Sequence, residues 1–156
     1  MIFDSRMQFS AAQSIVGPAG TPINSTNVYD SSSVSRDLGN GRKLLLCVEV
    51  VAAILAGAAG SLLIQLVSSA SASLTSPVIH ASVTIPTNTT ASQAAGTAAG
   101  AIAWELSFPP QGPTFLEYVG VIYTPTGQAT TQGTVNTFTT LDKHGVPSYP
   151  TVANLV

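Results

Sequence analysis

Residues Leu44 to Val67 read LLLCVEVVAAILAGAAGSLLIQLV, an apolar run whose parsing decides the fold. A helix that spans a bilayer needs roughly 20 mostly apolar residues at about 1.5 Å rise each, and the run has that length, with Arg42 and Lys43 at its front edge. Its polar residues argue against a helix. With Glu49 as a marker, Leu44, Leu46, Val48 and Val50 fall on one side of a strand and Leu45, Cys47, Glu49 and Val51 on the other. Leu62, Ile64 and Leu66 likewise share a face, opposite Leu63, Gln65 and Val67. In a spanning helix Glu49 would lie unpaired in hydrocarbon, at about 2.5 to 3.5 kcal/mol if central and less near the end where it sits. The centre, Ala56-Gly57-Ala58-Ala59-Gly60-Ser61, contains two glycines, each about 1 kcal/mol worse than alanine inside a helix. The pattern predicts two strands folded back around Gly57. Glu49 then lies opposite Gln65 on the outer face, and the other set forms a continuous aliphatic inner face.

Working outward, turn signals divide the rest of the chain into further short strands. Residues 1–16 alternate apolar and polar without helix caps and read as an extended arm, ending at Gly17-Pro18-Ala19-Gly20. Asn27-Val28-Tyr29 is a short strand, and Asn40-Gly41 is a turn that launches the long run. Val67 to Ser76 reads as a Ser and Ala loop. Pro77 to Ile85 is a strand whose ends are marked by Pro77 and Pro86. Thr87 to Ala101 has room for a helical turn around Ala91 to Ala95, but its glycines favour an irregular loop. Trp104 to Phe108 is another strand, and Phe115 to Tyr123 with Thr131 to Leu141 form a final pair joined at Thr124-Pro125-Thr126-Gly127. The tail from His144 carries two prolines and is extended. Seven or eight strands without an amphipathic helix predict an all-β fold, an antiparallel β-sandwich or jelly roll. A chain of 156 residues suits one domain, 1–156, divided into the arm 1–16, a core 17–143 and a tail 144–156.

Charged residues make up only 8% of the chain, against about 25% in ordinary soluble domains, and none lies between Val50 and Trp104. A domain this neutral is expected to keep much of its surface covered. Its Ser, Thr, Asn and Gln surface can hydrogen-bond a partner without the cost of desolvating ions. The net charge of -2 and the scarcity of Lys and Arg provide no patch able to neutralise phosphates, so nucleic-acid binding is not expected. Cys47 is the single cysteine, which excludes an internal disulfide and reads as a small buried hydrophobe. The opening residues carry Asp4 and Arg6 and lack an apolar h-region, so no secretory signal is expected and cytoplasmic synthesis fits.

The chain holds little material for catalysis. His80 and His144 have no second ligand at metal spacing. Glu105 and Glu117 could act as a carboxylate pair only if their strands paired. Gly39-Asn40-Gly41 lacks the third glycine of a dinucleotide fingerprint, and there is no phosphate loop or nucleophile elbow. No catalytic, cofactor or metal residue is assigned, and no small-molecule substrate is expected.

Ile2-Phe3-Asp4 with Gln8-Phe9-Ser10, Ser25-Thr26-Asn27, and Arg36-Asp37-Leu38-Gly39-Asn40-Gly41 form an ordered series. Val48-Glu49-Val50, the Ala and Gly loop, Leu62 to Leu66, and Glu117 to Tyr123 with Gly127 continue it. In this order the chain resembles the small capsid cement, or decoration, proteins of tailed bacteriophages, typified by that of a short-tailed Bordetella phage. The resemblance implies a jelly-roll virion protein on the outer surface of a capsid of HK97-fold subunits. It would bind the major capsid protein and pair with copies of itself, a dimer being favoured over a trimer. The expected contacts are the arm anchors Phe3, Met7 and Phe9 and the tail residues Val146, Tyr149 and Val152, because extended termini can add strands or fill grooves on a partner. Two other classes compete: a carbohydrate-binding sandwich with Trp104 or Tyr118 as a stacking platform, and a single-span membrane protein through 44–67.

Overall fold

The computed structural model describes residues 8–31, 44–57, 60–87, 97–108 and 114–140, and the fold is drawn from these. Nine strands follow in chain order: β1 (Gln8–Ser14), β2 (Ile23–Asn24), β3 (Tyr29–Asp30), β4 (Leu44–Ala56), β5 (Ser61–Ser69), β6 (Val78–Pro86), β7 (Ile102–Phe108), β8 (Tyr118–Thr126) and β9 (Thr130–Thr140). They form two antiparallel sheets. The first has the order β1-β9-β4-β7; the second has β2-β8-β5-β6, with β3 also paired to β8. These are the strand orders of a jelly roll, in which the chain keeps crossing between two packed sheets.

The long apolar run is two strands, as its alternation predicts, so the spanning-helix parse is excluded. No helix among the described residues is long and apolar enough to cross a membrane. The pairing differs from the expected hairpin. β4 bonds to β7 and β9, whereas β5 bonds to β6 and β8, so the two halves of the run lie in opposite sheets. Glu49 therefore pairs with Asn136, and Gln65 lies between Ser82 and Ile122. The same correction applies to the expected final pair, since β8 and β9 also belong to different sheets.

One ladder explains both corrections. β4 pairs with β9 from Leu45↔Thr140 to Ala56↔Thr130, and the ladder resumes on β5 and β8 from Ser61↔Thr126 to Ser69↔Tyr118. The chain from 44 to 69 thus lies antiparallel to the chain from 118 to 140 as a single long ribbon. The ribbon is bent double where the ends of β4 and β5, at Gly57 and Gly60, meet the turn from Gly127 to Ala129. At the bend Gly60 N–H donates to the Gly57 carbonyl at 3.1 Å, and the hydroxyls of Ser61 and Thr126 bond at 2.6 Å. Strand alternation fixes which side chains point into the fold. Bending then brings two apolar faces together, that of Leu46, Val48, Val50 and Ile54 and that of Leu62, Ile64 and Leu66. Val119, Val121, Tyr123 and Val135 complete the fully buried core with Phe9 and Ile15. A smaller cluster of Val67, Leu74 and Ile122 packs with Val28.

Remaining boundaries differ in instructive ways. The expected arm is, from Gln8 onward, an edge strand of the first sheet. β5 continues through Ser68 and Ser69, which are fully or almost fully buried although their composition reads as loop. β2 is too short to leave a periodic signal. The Asn40-Gly41 turn and the tail from His144 lie outside the described residues.

The bend makes a specific demand on its glycines. A Cβ at Gly60 would stand 2.7 Å from the Ala56 Cβ and 2.6 Å from Thr87 Oγ1, whereas one at Gly57 would meet only the movable end of Gln128, at 3.3 Å. Gly60→Ala is expected to lower stability by about 1 to 3 kcal/mol and Gly57→Ala to change it by less than about 0.5 kcal/mol. Paired urea titrations of the two variants check the difference.

Candidate functional site

The described residues contain four acids, Asp30, Glu49, Glu105 and Glu117, and none of the chain's Lys or Arg. No group of three or more His, Cys, Asp or Glu among them could hold a metal ion. Glu105 lies on β7 and Glu117 precedes β8, strands of opposite sheets that do not pair. Glu117 and Asp30 instead act on Tyr118, raising the pKa of its phenol by the repulsion their charges would exert on a phenolate. Cys47 is fully buried. His80 bonds through Nε2 to Ser68 Oγ at 2.7 Å and stacks on Phe115 with centroids 3.7 Å apart. Ser68 Oγ also accepts the Leu116 N–H at 3.0 Å, which ties the segment before β8 to β5, while the Phe115 stack ties it to β6. His144 lies outside the described residues.

The polar groups that are brought together hold strands. Asn136 Nδ2 donates to Glu49 Oε2 at 3.1 Å, and Asn136 Oδ1 accepts the Ala12 N–H at 2.7 Å. Ala12 has φ of 43° and lies within the irregular part of β1, where the register shifts between Gln8 and Ser10 and again between Ser10 and Gln13. The one acid of the apolar run thus supports a distorted edge strand 37 residues before it in sequence. Between the sheets, Tyr123 OH on β8 bonds to Ser10 Oγ on β1 at 2.9 Å and to Thr137 Oγ1 on β9 at 2.6 Å. Ser10 Oγ in turn donates to Gln13 Oε1 at 2.6 Å. Burial pushes the Tyr123 phenol up to about 12, although both hydroxyl partners pull the other way. Composition gave no signal for this staple, because a tyrosine on an apolar strand reads as core.

Surface geometry makes sheet edges and exposed faces the candidate site. Register shifts occur at the edge strands β1, β6 and β7, whereas shortness, another device that blunts an edge, appears on one side of the sandwich. There β1 is bulged, and β2 and β3 have two residues each. On the other side the edges are β6 and β7. β6 runs for nine residues without an acid or a Lys or Arg, and β7 carries Glu105.

Of the expected contact residues, only Phe9 is described; it is 1% exposed and packs in the core. Phe3, Met7, Val146, Tyr149 and Val152 lie outside the described residues. Trp104 is half-buried against the core, opposite Val48, and Tyr118 sits at the start of β8 opposite Asp30 and Ser69.

The Bbp16 family model matches residues 9–139, from the second residue of β1 to the penultimate residue of β9. The chain belongs to the Bbp16 family. That name points to a Bordetella phage protein. No curated protein matches the chain. The Bbp16 match takes in the ribbon and the strands that pair with it, all but Gln8 of β1 and Thr140 of β9.

The inter-sheet staple gives a pH dependence. An unfolded tyrosine ionises near its ordinary value of 10, but in the fold Tyr123 keeps its proton to about 12. The unfolded chain therefore loses this proton first, so stability is intact below pH 10, falls as pH rises from 10 to 12 and is not regained above. Tyr123→Phe is expected to remove that part of the alkaline decline and to cost about 1 to 3 kcal/mol at neutral pH, because Thr137 loses a buried partner. Chemical denaturation at pH 7, 10 and 11.5 reads both effects.

Proposed function

We propose that this chain is a capsid cement protein, added to the outer surface of an HK97-fold phage shell and stabilising the assembled particle. The observation that carries the reading is the Bbp16 family match over residues 9–139. The ordered cement-protein motifs, the 8% charge content and the jelly-roll strand order support it. So does the use of the polar groups: where they converge they fasten strands to one another, as in a protein whose task is cohesion rather than turnover.

The mechanism is linkage. A protein that binds the assembled shell better than free subunits shifts the equilibrium toward the shell, and many copies add their contributions. Each site can be modest and the lattice still gains. The partners are the major capsid protein and further copies of this chain. Contacts are assigned to Phe3 and Met7 in the arm and to Val146, Tyr149 and Val152 in the tail. Phe9 has a different part, since its buried ring fixes the base of the arm in the core. The sandwich interior is already closed, so an assembly contact must use its termini, edges or outer faces.

The test is sedimentation of purified protein with intact shells that lack it. The expected result is recovery in near-stoichiometric amounts, with a higher thermal transition of the shell; protein that stays in the supernatant contradicts the reading. Deletion of residues 1–7 leaves Phe9 and β1 in place, and is expected to weaken shell binding by roughly tenfold, about 1.4 kcal/mol. Unchanged occupancy in that variant would remove the arm from the contact set.

A further inference from the structure

We infer that His80 makes the seating of residues 114–116 depend on pH: the neutral ring helps to hold this stretch against the sandwich, and protonation of the ring releases it about a hinge at Glu117. The inference is independent of the cement reading, since it concerns only how the segment before β8 is held.

Three contacts fasten the stretch. The Phe115 ring packs against the main core and also stacks on His80, with centroids 3.7 Å apart and planes 6° from parallel. Leu116 N–H donates to Ser68 Oγ at 3.0 Å, and the same oxygen bonds to His80 Nε2 at 2.7 Å. The far end is fixed differently. The Glu117 carbonyl accepts both the N–H and the hydroxyl of Ser31, each at 2.9 Å, and Tyr118 begins β8 in the next position. Glu117 thus stays on the sheet whatever His80 does, and only 114–116 depends on the His80 and Ser68 pair. The spacing of that pair is one a nucleophile and its base can have, but Ser68 is fully buried, so its hydroxyl serves the fold.

Protons decide how the pair behaves. A neutral imidazole has one N–H and one accepting nitrogen, whereas the cation has two donors and no acceptor. If the neutral ring keeps its proton on Nδ1, Ser68 donates to Nε2 and still accepts the Leu116 N–H. A second proton then arrives at Nε2, reverses that bond and turns the Ser68 hydrogen away inside a buried site, where a donor that loses its acceptor is costly. If the neutral ring keeps its proton on Nε2, the second arrives at Nδ1, which is buried, and the charge is held away from water. Either tautomer therefore works against the cation while the stretch is seated. The Phe115 face attracts a cation, a smaller effect than the hydration lost. With the stretch released, the ring is solvated and takes up the proton freely. Acid consequently favours release, and the seated fraction falls as pH drops through the titration of His80. The acids of the neighbouring elements, Glu117 and Asp30, act on the Tyr118 phenol, and β5 and β6 contribute none.

The test is amide hydrogen exchange of the full chain at pH 7.5 and pH 5, with each rate divided by its intrinsic value at that pH. The Leu116 amide is expected to lose protection by about tenfold or more on acidification. The Val121 amide, which donates to Ser25 Oγ at 3.1 Å, is expected to keep its protection, because the sandwich itself stays closed. His80→Gln cannot take up the proton and is expected to flatten the Leu116 response. Should that variant not fold, the wild type decides through its histidine resonances: Leu116 protection and the His80 ring shifts are expected to change with one midpoint. Unchanged Leu116 protection, an equal loss at Val121, an equal fall in His80→Gln, or a Leu116 midpoint displaced from that of His80 toward the carboxylates overturns the inference.

Discussion

The rest of this structure depends on one backbone ladder, in which residues 44–69 and 118–140 hydrogen-bond along their length and fold over together. Neither arm can bend alone. The pairing runs through both sheets, so the chain must turn between β4 and β5 at the same place as it turns between β8 and β9. Once they do, the inner faces of β4 and β5 stack and the core is determined by strand alternation. β7, β6, β1 and the short β2 and β3 then add at the flanks, where the remaining backbone donors and acceptors lie.

The bend also resolves the apparent conflict in the apolar run. A stretch this greasy and this long resembles a membrane segment because both faces of each half carry aliphatic residues. Leu46 and Val48 face the core, but Cys47 between them is also fully buried, and Val67 is buried with Leu66. The run's one acid has work within the fold. Glu49 accepts from Asn136, which accepts from Ala12, so the acid helps hold the distorted edge strand β1 in register.

What was legible in the sequence is what depends on local period. The inward and outward sets around Glu49 and Gln65, the strands near Val78, Ile102 and Tyr118, and the glycine-marked bend all follow from neighbours a few residues apart. Partner choice does not. Glu49 meets Asn136, 87 residues later, and nothing in either local pattern distinguishes that contact from a hairpin with Gln65. Phe9 misled for a similar reason: an aromatic near a terminus reads as an anchor for something else, until a strand at the far end of the chain is seen to hold it. The Tyr123 staple, which joins three strands through Ser10 and Thr137, was invisible because each residue alone is an ordinary strand former. The prolines at 77 and 86 did carry information, since a bracketed strand belongs at an edge.

The account stands or falls on the folded ribbon, and isotope-labelled protein in solution tests it directly through cross-strand proton contacts. Nuclear Overhauser effects are expected between the backbones of Glu49 and Asn136 and between those of Gln65 and Ile122, the pairs that the continuous ladder sets opposite one another. Contacts between Glu49 and Gln65 in their place would mean that the apolar run closes on itself as a hairpin, and would contradict the architecture from which every later step was built.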